Sequence, residues 1–142
     1  MTGKLAGRRC LVTGGSRGLG RAIALAFARE GGDVAFTYRA REDAARDTEE
    51  AIAAFGHRVL TFRGNVADAA HAREVAAQMK ADWGGIDVLV NNAGITEVLP
   101  IAMIDEDEWD AVIDSHVKGA YLFSRAALKS MIRQKSGSIL SI

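Results

Sequence analysis

The residues best suited to chemistry lie in a short glycine-rich run, Thr13-Gly14-Gly15-Ser16-Arg17-Gly18-Leu19-Gly20. Glycines at 14, 18 and 20 give the spacing G-x3-G-x-G. Gly14 permits a tight turn, Gly18 lets the backbone approach a pyrophosphate, and Gly20 lets a helix pack close to a sheet. A helix opening at Gly18 would aim its free N–H groups and positive dipole end at the phosphates. A tight turn that holds no ligand is the competing reading. The apolar run before the glycines and the helical pattern after them favour a dinucleotide site.

A second group of residues bears on which dinucleotide would fit. A site that prefers NAD carries a carboxylate about 20 residues after the first glycine, to hold the ribose 2′-hydroxyl. Here that stretch reads Tyr38-Arg39-Ala40-Arg41, with no carboxylate before Glu42, and Arg17 lies in the glycine run. The guanidinium fork pairs with phosphate oxygens, so these residues suit a 2′-phosphate. The expectation is NADP(H) in preference to NAD(H), with Tyr38 and Arg39 at the ribose. The alternative is that Arg39 and Arg41 only solvate the start of a helix.

The remaining chemical candidates have plain structural readings. Cys10 sits in an apolar run and reads as a small core residue. His57 and His71 are isolated, on a turn and a polar helix face, and read as solvated. Asp105 to Glu108 form an acidic cluster at a helix start, which the helix dipole explains without a metal. No metal site is expected.

The elements that must position these residues alternate along the chain. Short apolar runs at Cys10–Val12, Val34–Tyr38, Arg58–Phe62, Ile86–Val90 and Ser138–Ile142 read as strands. Between them, helices are expected over Gly18–Glu30, with Leu19, Ile23 and Phe27 on the inner face, and over Arg41–Phe55. Asp68 would cap a third helix through Trp83, and Asp105 a long fourth to about Gln134. The inner stripe of the fourth would be Trp109, Ile113, His116, Ala120, Phe123, Ala127 and Met131. Strand–helix repetition implies an α/β fold, a doubly wound parallel sheet with helices on both faces. Ligands in such sheets sit beyond the carboxyl ends of the strands, where the glycine run falls.

Composition removes several function classes. The 142 residues carry 18 Lys+Arg and 18 Asp+Glu, for no net charge. That balance disfavours a general nucleic-acid binder and a polybasic membrane anchor. Hydrophobic residues at 49% supply a core, and charged residues at 25% argue against global disorder. One cysteine excludes an internal disulfide framework and fits a reducing compartment. The start, Met1-Thr2-Gly3-Lys4, lacks a signal-peptide apolar stretch, and no window suits a bilayer span. The expectation is a cytoplasmic protein.

The glycine run together with Asn91-Asn92-Ala93-Gly94 after the fourth strand resembles the classical short-chain dehydrogenase/reductase family, over Lys4 to Ile142. Gly94-Ile95-Thr96 and Glu108-Trp109 look most like 3-oxoacyl-carrier-protein and acetoacetyl-CoA reductases. The resemblance implies a Rossmann sheet in the order 3-2-1-4-5. It implies hydride exchange between NADP(H) and a small-molecule carbonyl or alcohol. It places Ser16, Arg17 and Leu19 at the phosphates, Asn65 and Val66 at the adenine, and Asn91 and Ala93 beside the nicotinamide ribose. Ala93-Gly94 is small enough for a cofactor to press against the backbone. For Asn91, a structural role tying neighbouring strands stands beside direct contact. The family commonly has Asp where this chain has Asn65.

Two departures from the family pattern matter. The family's catalytic Asn aligns with His116, in His116-Val117-Lys118-Gly119. An imidazole can also donate and accept in a proton relay. A satisfied histidine on the inner helix face is the equal alternative. The family's Ser and Tyr-x-x-x-Lys do not occur within these residues. The only tyrosines are Tyr38 and Tyr121, neither followed by Lys at the fourth place; Arg125 follows Tyr121. Residues 1–142 therefore read as one dinucleotide-binding domain, stopping within its fifth strand and inactive alone. The missing family strands would leave that strand an apolar edge. The helix near residues 106–134 would build a homo-oligomer in the intact protein. A non-catalytic nucleotide-binding module, or a fragment that needs a partner to complete its sheet, remain the alternatives.

Overall fold

The computed structural model describes residues 3–142, so Met1 and Thr2, part of the chain start discussed above, lie outside the described residues. Five strands form one parallel sheet: β1 Arg9–Val12, β2 Asp33–Tyr38, β3 Val59–Arg63, β4 Val88–Asn91 and β5 Ser138–Ser141. Their order is β3-β2-β1-β4-β5, as the resemblance implied. Cys10 stands opposite Val34 on one side and Val88 on the other.

Alternation along the strands divides the core into two layers. Cys10, Val12, Val34, Phe36, Val88 and Val90 face α1 (Gly18–Arg29) and α2 (Glu42–Ala53), where Ala24, Ala28, Ala45 and Ile52 meet them. Leu11, Ala35 and Leu89 face α3 (Ala69–Trp83) and α5 (Gly119–Gln134), with Val75, Met79, Phe123 and Met131 among the buried partners. The architecture is doubly wound.

The inner face of α1 differs from the expected one. Gly20, Ala24 and Ala28 are buried, while Leu19 is 56% exposed and Ile23 and Phe27 are half-buried. The helix lies too close to the sheet for bulky side chains along its contact line. Gly20 has the carbonyl of Gly14 and the amide of Asn92 where a Cβ would go.

The fourth expected helix is not uniform. Regular α-helix α4 (Glu106–Ile113) runs through a π-helical turn at Asp114–Lys118 into α5. Asp105 caps α4 through a capping box with Glu108. The expected inner stripe holds only after the π turn: Phe123, Ala127 and Met131 are buried, Ala120 is half-buried, and Trp109, Ile113 and His116 are exposed. The wider turn shifts the helical phase, so no single 3.6-residue stripe spans it. No α4 residue is buried.

Ion pairs tie the amino ends of the strands. Arg9 on β1 donates to both carboxylate oxygens of Asp87, at 2.8 and 3.0 Å, and to Gln134 Oε1 at 2.9 Å. Gln134 in turn donates to the Ile86 carbonyl. Arg58 pairs with Asp33 at 2.6 Å. Among the described residues, no helix is long and apolar enough to cross a membrane.

Candidate functional site

At the carboxyl ends of β1, β2, β3 and β4 lies a groove of about 390 Å³. Of the residues singled out in the sequence, the groove is lined by Gly14, Ser16, Arg17, Gly18, Tyr38, Arg39, Asn65, Val66, Ala93 and Gly94. Arg41 joins them. Leu19, Gly20, Asn91 and His116 are not on the lining. Thr37, Asn92, Ile95 and Ser115 also line it; none was assigned to the cofactor from the sequence, although Asn92 and Ile95 lie in the motifs that carry the family resemblance.

The glycine turn is held from both sides. The N–H of Gly14 donates to Thr37 Oγ1 at 3.2 Å, and that of Gly15 to the Thr37 carbonyl at 3.0 Å. The buried Thr48 hydroxyl on α2 donates to the Ser16 carbonyl at 2.9 Å. Just after β4, the Asn92 amide donates to the carbonyls of Thr13 and Gly14, both at 3.2 Å, and Thr13 Oγ1 accepts from the N–H groups of Asn92 and Ala93 at 3.0 Å. Asn92 therefore performs the bridging that the sequence reading gave to Asn91. Asn91 turns the other way, donating to Ser124 Oγ on α5 at 3.1 Å, and its buried Oδ1 has no partner.

The turn is shaped for a group that approaches the backbone. Gly14 and Gly18 have φ of 69° and 57°, in the left-handed region that glycine tolerates best. A Cβ on Gly14 would come within 2.9 Å of the Ala93 Cα. The first turn of α1 has no side-chain cap and no acidic residue. By contrast, α3 is capped by Asp68 and α4 by Asp105. The N–H groups opening α1 thus lack the carboxylate that serves the other two helices. Arg17, Arg39 and Arg41 line the groove, and no Asp or Glu does. Arg17 and Arg39 make no ion pair among the described residues; Arg41 has Asp43 at 3.5 Å. These features fit a phosphate-bearing dinucleotide.

His116 lies on the π turn. Its Nε2 is 2.8 Å from the Ile95 carbonyl, which can only accept, so that nitrogen carries the proton. Gly94 abuts the imidazole and has no space for a Cβ. Ser115, next to it, accepts from the Ile95 N–H at 3.4 Å. His116, off the groove lining, and Ser115, on it, hold the loop after β4.

Two histidines depart from the solvated reading. His57 is half-buried, and its buried Nε2 has no partner. His71 is only 7% exposed, edge-on to Phe123, and burial pushes its pKa down. The apolar positions flanking it in α3 face the core and carry it inward. Cys10 is a buried core thiol as expected, its pKa pushed up to about 12 by burial. Among the described residues no cluster of potential metal ligands occurs.

A family model described as short chain dehydrogenase matches residues 8–142. The chain belongs to the short-chain dehydrogenase family. It is 41% identical over 135 residues to the 3-oxoacyl-[acyl-carrier-protein] reductase FabG of Staphylococcus aureus, covering 95% of this chain and 55% of that protein. It is 39% identical over 141 residues to the short chain dehydrogenase/reductase dpmpG of Macrophomina phaseolina, covering 97% of this chain and 81% of that protein. A short-chain dehydrogenase of Burkholderia cenocepacia, solved in complex with NADP, superposes with a TM-score of 0.86 at 37% identity, over 89% of this chain and 51% of that one. For a short-chain type dehydrogenase/reductase of Mycobacterium marinum the TM-score is 0.91 at 36% identity, over 96% and 56%. The chain thus spans about half the length of the reductases it matches first. Its likeness to 3-oxoacyl-acyl-carrier-protein reductases agrees with Gly94-Ile95-Thr96 and Glu108-Trp109.

Proposed function

We propose that this short-chain dehydrogenase chain forms the NADP(H)-binding domain of an oxidoreductase acting on a carbonyl or alcohol, with a 3-oxoacyl thioester as substrate. The observation that carries this is the groove itself: an uncapped helix start and three arginines, with no carboxylate on the lining. The bound nicotinamide supplies or accepts the hydride.

The chain's own residues bind and orient. The backbone from Ser16 to Gly20 and the Arg17 side chain hold the pyrophosphate, with Gly14 and Gly18 allowing close approach and Leu19 at the open end of the turn. Arg39 and Arg41 hold the 2′-phosphate and Tyr38 flanks the ribose. Asn65 and Val66 hold the adenine. Ala93 and Gly94 leave space along the nicotinamide ribose, with Asn91 behind them. His116 keeps the Gly94–Ile95 backbone in place, and as a relay group it would hold a proton at its imidazole. NADP in the Burkholderia cenocepacia relative supports the choice of cofactor.

The proton donor for carbonyl reduction is not supplied by either tyrosine here. Tyr121 is exposed on α5, with Arg125 Nη1 3.4 Å from its hydroxyl, and Tyr38 lies at the end of β2. A polypeptide of residues 1–142 is therefore expected to bind NADPH without turning over substrate. The second reading is a nucleotide-binding module in which the same groove binds NADPH and no substrate turns over. In either case we propose a cytoplasmic protein that assembles through the helix at residues 106–134, where Trp109, Val117, Tyr121 and Ile132 are exposed.

The test is a fluorescence titration with NADPH and NADH, followed by an assay of NADPH oxidation with a short 3-oxoacyl thioester. Tighter NADPH binding is expected. Tighter NADH binding would reject the cofactor assignment, and no binding of either would reject the site. Binding without oxidation by the intact natural protein would favour the module.

A further inference from the structure

His71 has no part in the site as described, yet it lies directly behind it. It occupies the first turn of α3, just after the segment Gly64-Asn65-Val66 that follows β3. The imidazole fills the space on one side of Gly64 so closely that no Cβ fits there. On its other side the ring meets Phe123 of α5 edge-on, with centroids 5.8 Å apart and planes at 70°. Its Nε2 is buried and has no hydrogen-bond partner. The ring is therefore a wedge between the core and one wall of the groove.

The wall it supports is tied to other groove residues. The Gly64 N–H donates to the Tyr38 carbonyl at 2.9 Å. Asn65 Oδ1 accepts from the Ala67 N–H at 2.9 Å, and the Asn65 carbonyl accepts from the Asp68 N–H at 3.0 Å. A shift at Gly64 is thus passed to Asn65 on one side and Tyr38 on the other.

We propose that His71 is a positioning residue of the nucleotide site, and that the Gly64–Val66 segment holds its binding geometry only while the His71 ring is uncharged. The inference rests on the dinucleotide reading above. In the charged ring both nitrogens carry a proton, and the one on Nε2 would be buried with no acceptor, which costs far more than in water. The ring would then leave its place against Phe123 to reach solvent, displacing Gly64. The charged groups that act on the ring are Asp68 and Glu74, on its own helix and cap. The turn before it presents Gly64 and α5 presents Phe123, both uncharged. Burial outweighs the two carboxylates, and the neutral ring is favoured. By linkage, a ligand that needs the neutral ring binds more weakly as pH falls, and its binding makes the ring harder to protonate.

The experiment measures the NADPH dissociation constant of the wild-type protein and of His71→Phe between about pH 7.5 and pH 5. The cofactor's phosphate ionises in the same range in both proteins, so the ratio of the two constants is read. His71→Phe fixes the reference, and each protein's own change in affinity between the two pH values is compared. The wild type is expected to lose at least about threefold more affinity than the variant on going to the lower pH. Parallel pH profiles would overturn the proposal while leaving the dinucleotide site standing. No NADPH binding at any pH would overturn both. A ring-proton NMR titration of wild-type His71 covers the case in which His71→Phe does not fold. A lower imidazole pKa with NADPH bound is expected, and an unchanged one would refute the proposal.

Discussion

The two ends of the sheet handle charge in opposite ways. At the amino ends, charges are matched by the protein: Arg9 by Asp87, with Gln134 joining them, and Arg58 by Asp33. At the carboxyl ends, Arg17 and Arg39 face the groove without ion-pair partners among the described residues, and α1 opens without a cap. The side chains that hold the glycine turn there are uncharged, from Thr13, Thr37, Thr48 and Asn92. One end uses charge to hold strands together. The other holds its glycine turn with neutral hydrogen bonds and leaves the Arg17 and Arg39 guanidinium groups for a ligand.

Substitutions should separate the two ends, and the largest effect is expected at the amino end. Asp87→Ala strands Arg9, whose side chain is only 19% exposed. A cost of roughly 2–3 kcal/mol is expected, below that of a fully buried pair because Arg9 retains some solvent. Urea unfolding measures it, and NADPH affinity of the folded protein should not change. A loss of affinity with unchanged stability would invert the comparison.

Arg39→Ala probes the other end. The side chain is exposed, so the melting temperature should barely move, while NADPH binding weakens about tenfold and NADH binding stays nearly constant. Equal losses for both cofactors would show that Arg39 does not read the 2′-phosphate.

Acid should reach the two ends in sequence. Hydrogen bonding from the Arg9 side chain holds the Asp87 carboxyl below its ordinary value. Its stabilisation is complete above the unfolded value of about 3.9 and is lost as pH falls through the lower folded value. His71 behaves differently: its folded pKa is lowered by burial, so stability begins to fall once pH drops below the unfolded value of about 6.5. Unfolding curves should therefore show a His71-dependent loss first, absent in His71→Phe. The Asp87 contribution, read against Asp87→Asn, should fade only below about pH 4. The reverse order would count against these assignments.

The smallest effect is expected at Cys10, between the ends. Its thiol is buried, with its pKa pushed up to about 12. A thiol reagent should label it no faster than the protein unfolds. Rapid labelling of the folded protein would show that the sheet opens there.

Much of this contrast was legible in the sequence. The alternation of strands and helices and the glycine turn came from patterns that a doubly wound sheet imposes locally, while the strand order came from the family resemblance. The Asp68 and Asp105 caps were equally local. The misses share a cause: they depend on how closely elements approach. Leu19, Ile23 and Phe27 make the more hydrophobic stripe, but a helix that touches the sheet through Gly20, Ala24 and Ala28 needs small residues there. His71 was read by its polarity, whereas its packing against Gly64 and Phe123 depends on residues distant in sequence. Asn91 and Asn92 could not be told apart because adjacent residues of an extended segment point to opposite sides. The π turn left no mark on the apolar pattern, although α4 before it buries nothing.

The uncapped start of α1 also gives the site a built-in reporter. The backbone amides of Gly18, Leu19 and Gly20 precede the first carbonyl-paired position of that helix, and no side chain stands in for a partner. Their protons should trade with deuterated water far sooner than those deeper in α1. An anion seated on them would slow that trade at these positions while leaving the far end of the helix unchanged. Site occupancy could then be followed amide by amide, without a substrate or a turnover assay.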